Sequence, residues 1–192
     1  MKKIYRKLKR DPRIKIKIAI FLGIIFFGSW LLYSYFGPNE VAVLDGLSIE
    51  NQDKAIMEKN IREMVKGYPI EKMVPYIVNQ DPKVAAFLVS IAKKESNWGK
   101  RVPVLNGQDC YNYWGYRGIR DRMGTGGHTC FDSPQDAVET VAQRIQNLID
   151  KDIDTPQEML VWKCGSSCVG HNPYDVKKWV SDIALYFKKI DE

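Results

Sequence analysis

The chain has no long alternation of polar and apolar residues, no internal repeat and no low-complexity tract. The first absence argues against a sheet-built fold, the others against a repeat array or a disordered tether. Cysteine is scarce. The four present lack the paired spacing of a zinc module, since "CGSSCVGH" offers only Cys164, Cys168 and His171 as ligands. Neither a metal nor another cofactor is therefore expected. An excess of positive charge is missing from most of the chain. The formal +6 arises in the first 17 residues, which hold nine Lys/Arg and one Asp, leaving 20 basic against 22 acidic residues beyond them. A basic tail on a slightly acidic body excludes nucleic acid as the expected partner.

Charge is absent again from residues 18 to 37, "IAIFLGIIFFGSWLLYSYFG". Twenty helical residues span roughly 30 Å, the thickness of a bilayer's hydrocarbon core. Trp30, Tyr33 and Tyr35 stand towards the far end, where aromatic rings favour the interface, and the basic flank belongs on the cytoplasmic side. A cleaved signal peptide normally has a shorter apolar core and a small-residue cleavage site, and "YSYFGPNEVAVLDG" has no good A-x-A. The expectation is a single-pass plasma-membrane protein. Residues 1–17 form a cytoplasmic tail, 18–37 an uncleaved anchor, 38–52 a linker and 53–192 an extracytoplasmic domain.

All four cysteines lie beyond the anchor, where an oxidising compartment permits disulfides. Of three possible pairings the expected one joins Cys110 to Cys130 across a glycine-rich loop and Cys164 to Cys168 as a local clip. Helix starts are marked four times by a capping residue before proline: Asp81-Pro82, Ser133-Pro134, Thr155-Pro156 and Asn172-Pro173. Asp136, Glu158 and Asp175 follow three residues after the last three caps, as in a capping box. Apolar residues recur at helical intervals behind three of the prolines: Val84, Ala85, Leu88 and Ile91; Val138, Val141, Ile145, Leu148 and Ile149; Val176, Trp179, Val180, Ile183 and Phe187. "DKAIMEKNIREMVKG" adds another amphipathic helix, ending at Gly67. The outer domain is expected to be mainly α.

Residues 100 to 132 depart from that pattern, with six glycines and many aromatics between two helices. Structureless stretches of that length in a compact domain usually carry function. Glu95, in "IAKKESNWGK", stands in the last turn of the preceding helix, at the edge of this loop. Beside an apolar helix face and the indole of Trp98 a carboxylate loses hydration, which disfavours its charged form. The negative helix C-terminus acts in the same direction. Such an acid can protonate the departing oxygen of a glycosidic bond. Trp114, Tyr113 and Tyr116 would supply flat walls for sugar rings, while His128 reads as a solvated loop residue.

"ESNWG" followed by "NYWGYRG" resembles the bacterial glucosaminidase family of cell-wall hydrolases, within the lysozyme-like group. Glu95, Ser96, Trp98 and Gly99 match its E-S-x-W-G. Asn112, Trp114 (for Phe), Gly115, Arg117 (for Lys) and Gly118 match its N-x-F-G-x-K-G. Phe131, Asp132 and Ser133 correspond to its third motif, with Phe131 where the family usually has Tyr. Tyr174 corresponds to the tyrosine that leads its closing helix. The similarity covers about residues 70 to 190. It implies a lysozyme-like fold acting on peptidoglycan glycan strands, with Glu95 as general acid. Trp98, Asn112, Tyr113, Trp114, Tyr116, Arg117, Phe131 and Tyr174 would then bind substrate. A second carboxylate, among Asp109, Asp121 and Asp132, is left open, as are hydrolysis and lytic transglycosylation. The alternatives from other classes are a non-catalytic glycan-binding module and a cysteine peptidase using Cys110 with His171.

Overall fold

A computed structural model of the 192-residue chain describes residues 12–35 and 38–191. The chain divides into two compact units, 1–52 and 53–192. In the first, helix α1 (Pro12–Tyr35) is long and apolar enough to cross a membrane. It begins six residues before the uncharged run. Residues 1–11 of the basic tail, and 36 and 37 at the end of the run, lie outside the described residues. The stretch 38–52, expected as a linker, has regular structure. It is helical, as part of α2 (Pro38–Val65). Proline at the first position, where no N–H is needed, suits such a start.

Gly67, at φ +75°, turns the chain after α2, and Tyr68 N–H returns to the Val65 carbonyl. A 3-10 turn (Pro69–Met73) and the short helix α3 (Val74–Ile77) then lead to α4 (Pro82–Ser96). Asp81 caps α4 by accepting from the N–H of Lys83. The sequence marks one apolar stripe here, yet every residue from Val84 to Ala92 is buried. A helix apolar on all sides belongs at the centre of its domain. Around it pack α5 (Pro134–Ile149) and α7 (Pro173–Asp191), the latter running along it closely. Ser133 caps α5 through the Asp136 N–H, and Asn172 accepts from the N–H of Tyr174 at the start of α7.

The capping signal at Thr155-Pro156 forms without a helix directly behind it. Thr155 and Glu158 exchange the expected bonds, but the chain continues in a turn and α6 spans only Leu160–Cys164. Gly165, at φ +64°, ends α6, and the Cys164–Cys168 disulfide clips the turn beyond it.

The stretch between α4 and α5 is not structureless. Strands β1 (Val104–Leu105) and β2 (Gln108–Asp109) form one antiparallel hairpin, β3 (Met123–Gly124) and β4 (His128–Thr129) another. Asn106-Gly107, both at positive φ, make the two-residue turn of the first. The Cys110–Cys130 disulfide and the bond from Phe131 N–H to the Cys110 carbonyl tie the chain just after β2 to the chain just after β4. Both cysteine pairs are those expected, and no described cysteine is free. With Cys110 and Cys168 oxidised, neither the thiolate peptidase nor the Cys164/Cys168/His171 metal site is available. The described part of the chain is thus mainly helical, with one long apolar helix near the N-terminus. That helix and the disulfides mark the domain as secreted or membrane-anchored.

Candidate active site

The end of α4 explains "ESNWG" residue by residue. Ser96 Oγ donates to the Ala92 carbonyl and accepts from the Gly99 N–H, stapling the last helical turn to the turn beyond it. Asn97 takes the left-handed conformation that commonly ends helices (φ 52°, ψ 53°). Trp98 follows at φ 55°, a conformation costly for a bulky residue. Its indole offsets that cost: Nε1 donates to the Val89 carbonyl, and the ring meets Tyr68 and Tyr186 edge to face. Gly99, at φ +91°, leaves no room for a side chain, because a Cβ there would come within 2.8 Å of the Tyr113 ring. This locked turn fixes where Glu95 stands.

Glu95 is exposed, and it opens onto a cleft of about 460 Å³. Ser96 and Gly115 lie on its side of the lining; Arg101, Val102 and Pro103 come from the chain beyond α4, and Thr125, Gly126 and His128 from the second hairpin. The expectation of an acid shielded by Trp98 is corrected. The indole that meets Glu95 is that of Trp179, on α7, whose Nε1 donates to Oε1 at 2.7 Å. Oε2 lies on the side of Gly115, where a Cβ would stand 3.8 Å from it. Lys94, the residue before the acid, bonds Asp182 at 2.6 Å and fastens α4 to α7.

Most aromatics expected to face sugar are in the core. Tyr113, Trp114 and Phe131 are fully buried and Trp98 nearly so. Trp114 donates to the Leu88 carbonyl, and Tyr113 donates its hydroxyl to Asp109 at 2.7 Å. Burial, with that carboxylate adding to it, holds the Tyr113 phenol well above its usual titration range. These rings are not walls of an open site. They belong to the hydrophobic core on which the loop packs. Tyr116 is half-buried between Phe131 and Trp162. Asn112 does line the cleft, but its amide is committed. It donates to the Tyr116 and Thr129 carbonyls and accepts from the Tyr116 N–H, holding the loop shut around itself.

Arg117 is exposed. It donates to the Gly126 carbonyl at 2.7 Å and approaches His128 Nε2 at 3.3 Å. His128 is accordingly not free in solvent; its Nδ1 is closed off from water and has no partner among the described residues. Tyr174, 70% exposed at the start of α7, is not among the residues lining the cleft. The candidate second carboxylates are absent from that lining too. Asp109 is engaged by Lys72, Tyr113 and the Tyr111 N–H, and Asp132 pairs with Arg122. Asp121 and Asp132 line a separate recess with Arg120 and Arg122. Among the described residues lining the cleft, Glu95 is the only carboxylate.

The motif reading passed over Arg101, Thr125 and Trp179. Trp179 stands 84 positions from its partner in a stripe that reads as core, so nothing local marks it. Comparison of the chain with known protein families, with characterised proteins and with solved structures finds no match.

Proposed function

We propose that this protein is a single-pass, membrane-anchored enzyme of the lysozyme-like group. It cuts a β-1,4 linkage between the N-acetylated amino sugars of peptidoglycan, on the outer side of the plasma membrane. Glu95 is the general acid. One observation carries the reading: a single carboxylate opens onto a cleft, held from behind by a buried indole N–H. The cleft suits a polymer better than a small enclosed ligand, since it is open to solvent. At position 115 the chain carries no side chain beside the acid, where a Cβ would stand 3.8 Å from Oε2.

In this reaction the Glu95 proton passes to the glycosidic oxygen as the bond from that oxygen to the anomeric carbon breaks. Two-carboxylate glycosidases place the partner about 5–5.5 Å or 6.5–9.5 Å from the acid. With no second carboxylate in the lining, the group that attacks the anomeric carbon comes from elsewhere. The substrate itself offers two: its acetamido oxygen and its 6-hydroxyl. Attack by the 6-hydroxyl closes an anhydro ring and returns a proton to Glu95, which is lytic transglycosylation. The lone carboxylate favours these routes over a retaining mechanism with an enzyme nucleophile.

Mass spectrometry of fragments released from purified sacculi tests the proposal. Reducing ends correspond to hydrolysis and anhydro ends to transglycosylation; release of no glycan fragment leaves a glycan-binding module and overturns the enzyme reading.

A further inference from the structure

We infer that Trp179 is a positioning residue that orients the Glu95 carboxyl group and selects Oε2 as the oxygen that delivers the proton. This rests on the proposal that Glu95 is the acid. An indole N–H can only donate. Whatever the protonation state of Glu95, the oxygen facing Trp179 must therefore accept. That oxygen is Oε1, at 2.7 Å. In a protonated carboxyl the carbonyl oxygen is the better acceptor, so it settles on the indole and leaves the hydroxyl at Oε2. Oε2 is the oxygen on the Gly115 side, at the cleft.

The indole is suited to this because it is packed in the core. Trp179 is 1% exposed and belongs to the core, and the Lys94–Asp182 bond secures α7 to α4 beside it. A carboxyl on the last turn of a helix, otherwise free to rotate about its side-chain bonds, is thereby given one orientation before substrate arrives. The same bond favours the reaction itself. As the Oε2–H bond breaks and the proton joins the departing glycosidic oxygen, negative charge develops on the carboxylate. The electron pair of the bond to the anomeric carbon leaves with that oxygen, and the attacking group takes its place. A hydrogen bond to a charged acceptor is roughly twice as strong as one to a neutral acceptor, so the indole holds the transition state more tightly than the ground state.

A purely structural role makes a different prediction. If Trp179 only fills the core, its ring matters and its N–H does not. The test is replacement of Trp179 in the full-length chain by benzothienylalanine, which keeps the fused ring and substitutes sulfur for N–H. Steady-state rates on a soluble glycan oligomer and the melting temperature are measured together. The expected result is a kcat roughly tenfold to a hundredfold lower, with KM within about twofold and the melting temperature nearly unchanged. The genetically simpler Trp179→Phe should show the same kcat loss when rates are referred to folded protein. An unchanged kcat in both variants, with Glu95→Gln inactive, overturns the role of Trp179 and leaves the acid standing. Full activity in Glu95→Gln overturns the acid, and with it this inference.

Discussion

At the scale of single residues, the aromatics show how chemistry and position separate. Trp98 and Trp114 both send an indole N–H to a carbonyl of α4, at Val89 and Leu88. They hold the loop to the central helix from two sides. Truncating a buried tryptophan typically costs about 3–5 kcal/mol. Trp114→Ala should therefore lower the melting temperature sharply, and at a temperature where the variant is still folded its KM should be close to native. A large rise in KM without loss of stability would instead make Trp114 a sugar platform, as the sequence pattern implies. The residue types near Glu95 were legible in the sequence, but the face each ring presents was not. A motif records which side chains recur around a turn, and both a binding wall and a core floor recruit Tyr and Trp. Asn112 carries the same ambiguity, because an amide that could hold a substrate is also the side chain best able to satisfy three peptide groups of a tight loop.

At the scale of elements, helices declared themselves wherever a local signal sufficed. Asp81 and Ser133 cap α4 and α5 as their sequence position implies. Thr155 forms its cap as well, but α6 lasts only five residues, because Gly165 and a disulfide stop it. Asn106-Gly107, the strongest short hairpin signal, makes the turn of β1 and β2 with strands of two residues, too short for periodicity to reveal. The Cys110–Cys130 bridge closes a separation of 20 residues around the second hairpin. Such closure contributes roughly 3 kcal/mol. Alkylation of the unfolded, unreduced protein should find no free thiol, and reduction should lower its melting temperature. Labelling of Cys110 in the unreduced protein would contradict the pairing.

The junction of α4 and α7 gives a pH signature. Partial burial pushes the Asp182 carboxyl up, but hydrogen bonds from Lys178 and Lys94 outweigh it and hold the group below its ordinary value of 3.8. A carboxylate depressed in the folded state adds stability above its unfolded value, and that stability is lost as pH falls through the lower folded value. Pairs this exposed are screened by solvent and contribute little each, so the expected effect is small. Asp182→Asn should thus melt below the native protein at pH 7, and the gap should close as pH falls below about 4. A gap that stays constant down to about pH 2, below the ordinary carboxylate range, would show that the ion pairs do not stabilise this junction.

At the scale of the whole molecule, the sequence supplied a helical domain behind a long apolar helix because both depend on composition over many residues. The cleft was not legible in the same way. It is assembled from the end of α4, the chain just after it and the second hairpin, with α7 fixing the acid from behind. The proposed location is testable apart from the chemistry. With the N-terminal tail cytoplasmic and α1 in the bilayer, a C-terminal alkaline phosphatase fusion should be active in intact cells, and full-length protein should stay with membranes through a carbonate wash. A soluble product beginning after residue 37 would remove the anchor and leave the enzyme reading untouched; an inactive phosphatase fusion would place the domain on the wrong side of the membrane for its substrate.

The central claim is that the proton on Glu95 cleaves glycan. Its most direct test compares full-length native protein with Glu95→Gln, both folded by melting temperature, in the rate at which soluble glycan fragments leave purified sacculi. The amide matches the carboxyl in size and can still accept from Trp179, but it has no proton to give. General acid catalysis contributes about 10²–10⁴-fold, so release should fall at least a hundredfold. Release by Glu95→Gln at the native rate would contradict the account.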